Sequence, residues 1–110
     1  MSQDMEDSNS PANDIWMKIY RQGAEVLVAA CDASILGKTL REGEIEFHVS
    51  REFYEGVRGD EEMLKKHLSI ATIANLVGEK SVRCGIEMGM IDEENVLNIE
   101  GIPHAQFALL

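Results

Sequence analysis

The sequence predicts an α+β domain: a small, mostly antiparallel sheet of about four strands with two main helices packed on one face. Three observations lead there. An alternating segment, Ile15 to Arg21, is followed at once by an apolar run from Glu25 to Cys31. A second, cleaner alternation spans Glu44 to Ser50. Two stretches with helical spacing then run from Asp60 to Gly78 and from Glu79 to Met88, ahead of a last short strand.

In the first segment Ile15, Met17 and Ile19 share one side, and Trp16, Lys18 and Tyr20 the other. Gln22-Gly23 supplies a turn, because glycine takes a positive φ without penalty. The returning strand is apolar on both faces (Val26, Val28 and Ala30 against Leu27 and Ala29), which places it centrally. It stops abruptly at a thiol and a carboxylate, Cys31 and Asp32. Asp32 to Gly37 reads as one helical turn capped by Asp32. In the next strand Ile45, Phe47 and Val49 point to the core, and Glu44, Glu46 and His48 to water. Arg51 to Tyr54 reads as a further short turn, and Gly56 and Gly59 mark a loop.

Asp60 is a good N-cap, with Glu61 and Glu62 favourably placed against the helix dipole. Leu64, Leu68, Ala71 and Asn75 recur at spacings of four, three and four, which predicts one helical face. Gly78 interrupts this helix. The second uses Val82 and Ile86 as its stripe and ends at Gly89. Asp92 to Asn95 is a turn, Val96 to Glu100 a strand, and Gly101-Ile102-Pro103 a bend that presents His104 and Gln106 from a loop.

Length and charge narrow the function classes. The 110 residues suffice for one domain, residues 15–110, behind a disordered acidic tail at 1–14. The net charge is −10; Asp4, Glu6, Asp7 and Asp14 lie in the tail, which leaves −6 on the rest. Lys and Arg are scattered, so the field disfavours RNA as a partner. The patterned sequence begins near Met17, which offers a second translation start. The chain opens without a basic cap or apolar run and has no span of 18 apolar residues, which predicts a cytoplasmic protein that does not enter a membrane.

Three segments carry chemically capable side chains. Cys31 with Asp32 stands at a strand end, Asn75 on an apolar stripe, and His104 and Gln106 after the bend. A Cys–His pair oriented by an amide is the arrangement of a thiol nucleophile, so Cys31, His104 and Asn75 are the candidate catalytic residues. Asp32 beside the thiol opposes that chemistry by raising its pKa. The same residues with Asp32 and Gln106 form the candidate binding surface. The three His, two Cys and Asp32 show no metal-ligand spacing, so neither a metal nor another cofactor is expected. Gly78-Glu79-Lys80 lacks the glycine-rich approach of a nucleotide loop, and a helix break accounts for it.

From Met17 onward the chain resembles a small archaeal family known as domain of unknown function 424. The resemblance rests on Lys18-Ile19-Tyr20-Arg21-Gln22-Gly23, Val28-Ala29-Ala30-Cys31-Asp32, Leu36-Gly37-Lys38-Thr39, Ala71-Thr72-Ile73-Ala74-Asn75-Leu76-Val77-Gly78-Glu79 and Gly101-Ile102-Pro103-His104-Ala105-Gln106. It covers about residues 17 to 107 and implies an archaeal cytoplasmic protein, with no catalytic residues to carry over. The acidic extension lies outside it.

Two principal functions compete. The first is a non-enzymatic interaction module of the archaeal cytoplasm, with a protein partner and a link to translation or RNA processing. The second is a thiol-dependent enzyme acting on an acyl or amide bond, with Cys31 as nucleophile, His104 as base and Asn75 as orienter. Direct RNA binding is a third and weaker reading. Substrate, partner and oligomeric state are open at this level.

Overall fold

The computed structural model describes residues 13–109. Its strands are β1 (Ile15–Gln22), β2 (Glu25–Asp32), β3 (Thr39–Glu42), β4 (Ile45–His48), β5 (Val57–Gly59), β6 (Ile73–Val77), β7 (Leu97–Ile99) and β8 (Ile102–Ala108). Its α-helices are α1 (Arg51–Tyr54), α2 (Glu61–Leu68) and α3 (Glu79–Glu87). Six strands form one mixed sheet in the order β5-β1-β2-β6-β8-β7, and β3 and β4 form a separate hairpin. The domain is α+β as expected, with a sheet larger than four strands. Residues 1–12 of the expected tail lie outside the described residues. Asn13 and Asp14 are engaged: the Asn13 carbonyl accepts from Arg58 Nε at 2.6 Å, and the Asp14 carbonyl from the Ala33 N–H at 2.6 Å.

β1 and β2 pair antiparallel across the two-residue turn Gly23-Ala24, where Gly23 holds a φ of 59°. β2 is central, as its two apolar faces require, but its second neighbour is β6, and that pairing is parallel. The expected long helix therefore ends early. Asp60 caps α2 by accepting from the Met63 N–H at 2.8 Å, Leu64 and Leu68 are buried, and the helix stops at Ser69. Ile73 to Val77, carrying Asn75, is a strand. The four-and-three spacing continues past Leu68 by coincidence, because a strand covered on both faces has no alternation to contradict it.

The expected bend is likewise shorter than the sequence suggested. Glu100 and Gly101, with φ of 57° and 80°, make a two-residue hairpin turn of type I′, and Ile102 to Ala108 continue as β8 between β6 and β7. His104 and Gln106 thus stand on a strand rather than a loop. β3 and β5, four and three residues long, were hidden by their Gly-flanked settings.

The sheet has two covered faces. On one, α2 and α3 pack over Ile15, Met17, Val28, Ala30, Ala74 and Leu76. On the other, the β3–β4 hairpin and α1 pack over Ala29, Cys31, Val77 and Ile99. A fully buried leucine such as Leu64 or Leu76 contributes about 1.5–3 kcal/mol. The hairpin is fastened to the sheet at the β7–β8 turn: Glu100 Oε1 accepts from the Arg41 N–H at 2.9 Å, and the Glu100 N–H donates to Glu42 Oε1 at 2.6 Å.

Candidate functional site

The strands bearing the three chemically capable segments are neighbours. Register places Cys31, Val77 and His104 in one row across β2, β6 and β8, and Ala29, Asn75 and Gln106 in the next. Directly paired residues share a face, so these side chains belong to the hairpin side of the sheet.

Cys31 is fully buried among Tyr54, Val77 and Ile99. Burial, reinforced by Asp32 and Glu55, pushes its thiol up to about 12. Val77 stands between it and His104. Two strand spacings put their backbones roughly 10 Å apart. The imidazole turns to Asn75 instead, with Nε2 at 3.2 Å from Asn75 Oδ1. Because that oxygen only accepts, Nε2 carries the proton. The ring lies against Phe47, centroids 4.7 Å apart, and burial lowers its pKa.

Asn75 Oδ1 takes a second bond, from the Tyr54 hydroxyl at 2.6 Å. Tyr54 is fully buried, and its hydroxyl pKa is raised, chiefly by burial. Sequence reasoning paired Asn75 with His104 but missed Tyr54. The available signal was Ser50, whose side chain caps α1 by accepting from the Phe53 N–H at 3.2 Å and so fixes the helix that delivers the tyrosine. The network holds an imidazole in one tautomer. It brings no thiol to it.

Asp32 belongs to the other face. Its carboxylate does not cap the 3-10 turn that follows it, Ala33–Ile35. It caps α3: Oδ2 accepts from the Lys80 N–H at 3.0 Å, and Oδ1 from the Ser81 N–H and hydroxyl, both at 2.9 Å. Gly78 makes room for it. Its φ is 108°, and a Cβ there would fall 2.4 Å from Asp32 Cγ. Two free N–H groups of this helix start, those of Lys80 and Ser81, are therefore occupied from within the chain. Beside it, a polar pocket of about 240 Å³ is lined by Asp14, Asp32, Arg58 and Lys80, with Lys80 ion-paired to Asp14.

Gln106 is exposed and lines a different concavity. It is a pocket of about 350 Å³ on the sheet, bounded by Leu27, Ile73, Asn75, Gln106 and Ala108. Apolar side chains and two carboxamides make its floor. Among the described residues no group of three or more His, Cys, Asp or Glu is arranged to hold a metal ion. No described helix is long and apolar enough to cross a membrane.

The family model described as "Protein of unknown function (DUF424)" matches residues 20–110. Among solved structures, an uncharacterized conserved protein from Methanopyrus kandleri is similar, with a TM-score of 0.76 at 25% identity, covering 87% of this chain and 91% of that one. No curated protein matches.

Proposed function

The chain belongs to the DUF424 family, and we propose that it acts as a non-enzymatic interaction module whose contact surface is the sheet floor around Asn75 and Gln106. The observation that carries this is the 350 Å³ pocket at the uncovered end of β2, β6 and β8. Apolar floor with a few fixed amide groups is the composition of a recognition surface: burial supplies affinity and the carboxamides supply direction. Asn75 is held in place by Tyr54 and His104, so its orientation is set before a partner arrives.

The charge distribution favours a protein partner over RNA. Lys65, Lys80, Arg41, Arg51 and Arg83, five of the ten cations, are paired with carboxylates. Few remain to neutralise phosphates. The thiol reading lacks a comparable support: its nucleophile is buried, with a raised pKa, and separated from the base. The structural relative from Methanopyrus kandleri supports an archaeal setting; within it, the reading places the chain in the cytoplasm, attached to a translation or RNA-processing assembly through protein contacts.

The test is affinity capture of the tagged full chain from an archaeal extract, beside a Leu27→Glu variant of unchanged circular dichroism. A stoichiometric partner held by the parent and lost by the variant is the expected result. Equal capture by both, or none by either, removes the reading.

A further inference from the structure

Arg83 is the last Lys or Arg of the chain. Residues 84–110 carry Glu87, Asp92, Glu93, Glu94 and Glu100 with no such cation among them. Glu87 is ion-paired with Lys65 at 2.7 Å, and Glu100 accepts from the Arg41 N–H. Asp92, Glu93 and Glu94 are exposed and have no ion-pair partner among the described residues.

The fold sets this acidic stretch beside a gap in the helix layer. α2 packs on β1 and β2, and α3 on β2, β6 and β8, so the layer ends one strand short of the edge strand β7. Between α3 and β7 lies a groove of about 370 Å³. Its helix wall is Glu79, Val82, Arg83 and Ile86, whose spacing of three, one and three makes them one side of α3. Its other wall is Glu93, Val96, Asn98 and Pro103. Pro103 alternates with His104 and so lies on the helix side of the sheet, opposite the pocket at Asn75 and Gln106.

The free charge of the groove has one sign. Arg83 donates to Glu61 at 2.6 Å and is neutralised there. Glu79, from the helix wall, and Glu93, from the other, have no ion-pair partner among the described residues. Between them Val82 is buried, while Ile86, Val96 and Pro103 are half-buried and leave apolar surface in water.

We propose that this groove receives a short cationic amphipathic helix of a partner protein. Its apolar side chains rest on Val82, Ile86, Val96 and Pro103, and its Lys or Arg side chains meet Glu79 and Glu93. The α3 wall from Glu79 to Ile86 is about 10 Å long, which suits about two turns of the incoming helix. Lying beside α3, that helix extends the layer over β7. Charge selects its sign: a surface without a free cation, on a chain of net charge −10, attracts a basic segment and repels an acidic one. A second copy is a poorer match. It brings the same net charge, and Lys65, Lys80 and Arg83, the cations of its longer helices apart from Lys66, are already ion-paired. This surface does not rest on the interaction proposed above, which uses the opposite face.

The experiment is an amide-shift NMR titration of the labelled full chain with a peptide of about 14 leucines and lysines at helical spacing. Shifts concentrated in Glu79–Ile86 and Glu93–Asn98 are expected, with weaker binding at high salt. Glu79→Gln with Glu93→Gln removes two exposed carboxylates that make no internal bond and lowers the affinity about tenfold. Glu44→Gln with Glu52→Gln, which takes the same charge from the hairpin turn and α1, leaves it within about twofold. Replacing the leucines of the peptide by serine abolishes binding. Shifts spread over the surface, equal losses in both double variants, or equal binding of the serine peptide would overturn the proposal. Shifts of the same amides with protein concentration alone would assign the groove to a second copy and overturn it too.

Discussion

Asp32 Oδ1 accepts two hydrogen bonds from one residue, the backbone N–H and the hydroxyl of Ser81, 49 positions further along the chain. The end of β2 is thereby the N-cap of α3. A capping residue normally precedes its helix directly. Here Gly78 stands in that position and contributes no side chain, so the cap is supplied across the sheet.

Asp32→Ala is expected to destabilise the fold by about 2–3 kcal/mol, because two backbone N–H groups and a buried hydroxyl lose a charged acceptor. Urea unfolding checks this, with the midpoint lowered and the slope unchanged.

Gly78→Ala is expected to cost at least about 2 kcal/mol, from its left-handed φ and from collision with the Asp32 carboxyl group. The two losses should not add. Once Asp32→Ala has removed the carboxyl group, Gly78→Ala retains the backbone strain and the 2.7 Å approach to the Cβ of residue 32 but loses the collision with the carboxyl group, so the double variant is more stable than the sum of the singles. Additive losses would contradict the close approach.

Tyr54→Phe should cost about 1 kcal/mol, and Asn75→Ala about 2–3 kcal/mol, since the latter leaves a buried hydroxyl without its acceptor. Combining them removes the orphan. The double variant is expected to lie near Asn75→Ala alone, and thermal unfolding of the four proteins measures the coupling.

His104 gives a pH dependence of known sign. Burial lowers its folded pKa below the ordinary 6.5, so the unfolded state binds the proton more readily. Stability from the neutral ring is complete above about pH 6.5 and declines as the pH falls from there toward the folded pKa. His104→Gln should flatten the decline between pH 6.5 and the carboxylate range. An unchanged profile would show that His104 does not set it.

Cys31 and Cys84 are both buried, and burial pushes both thiols up to about 12. Neither should react with iodoacetamide at pH 8 in the folded protein, and both should react in urea. Selective native labelling of Cys31, read by mass spectrometry, would revive the nucleophile.

These expectations mark where the sequence was readable. The β1–β2 hairpin, the Asp60 cap and the Gly89 stop of α3 are local devices, and each acts where its residues sit. Asn75 was misplaced because strand β6 is buried on one face and half-buried on the other, and its near-uniform apolarity fits a helical stripe as well as a strand. Asp32 was assigned to the turn beside it because nothing local distinguishes a carboxylate that caps its own segment from one that caps a distant helix. Tyr54 and Asn75 meet only through tertiary packing of α1 on the sheet, and no spacing encodes that.

The parallel contact between β2 and β6 also governs how the molecule can be made. Neither half of the chain owns a complete sheet: β2 is synthesised long before β6, and β6 gains its second neighbour only when β8 has formed. A nascent chain halted before residue 102 would carry the apolar segment Ile73–Val77 with one flank bare to solvent. Folding of this protein is therefore a late event in its synthesis, and the interval before it is when aggregation or chaperone capture has its opportunity.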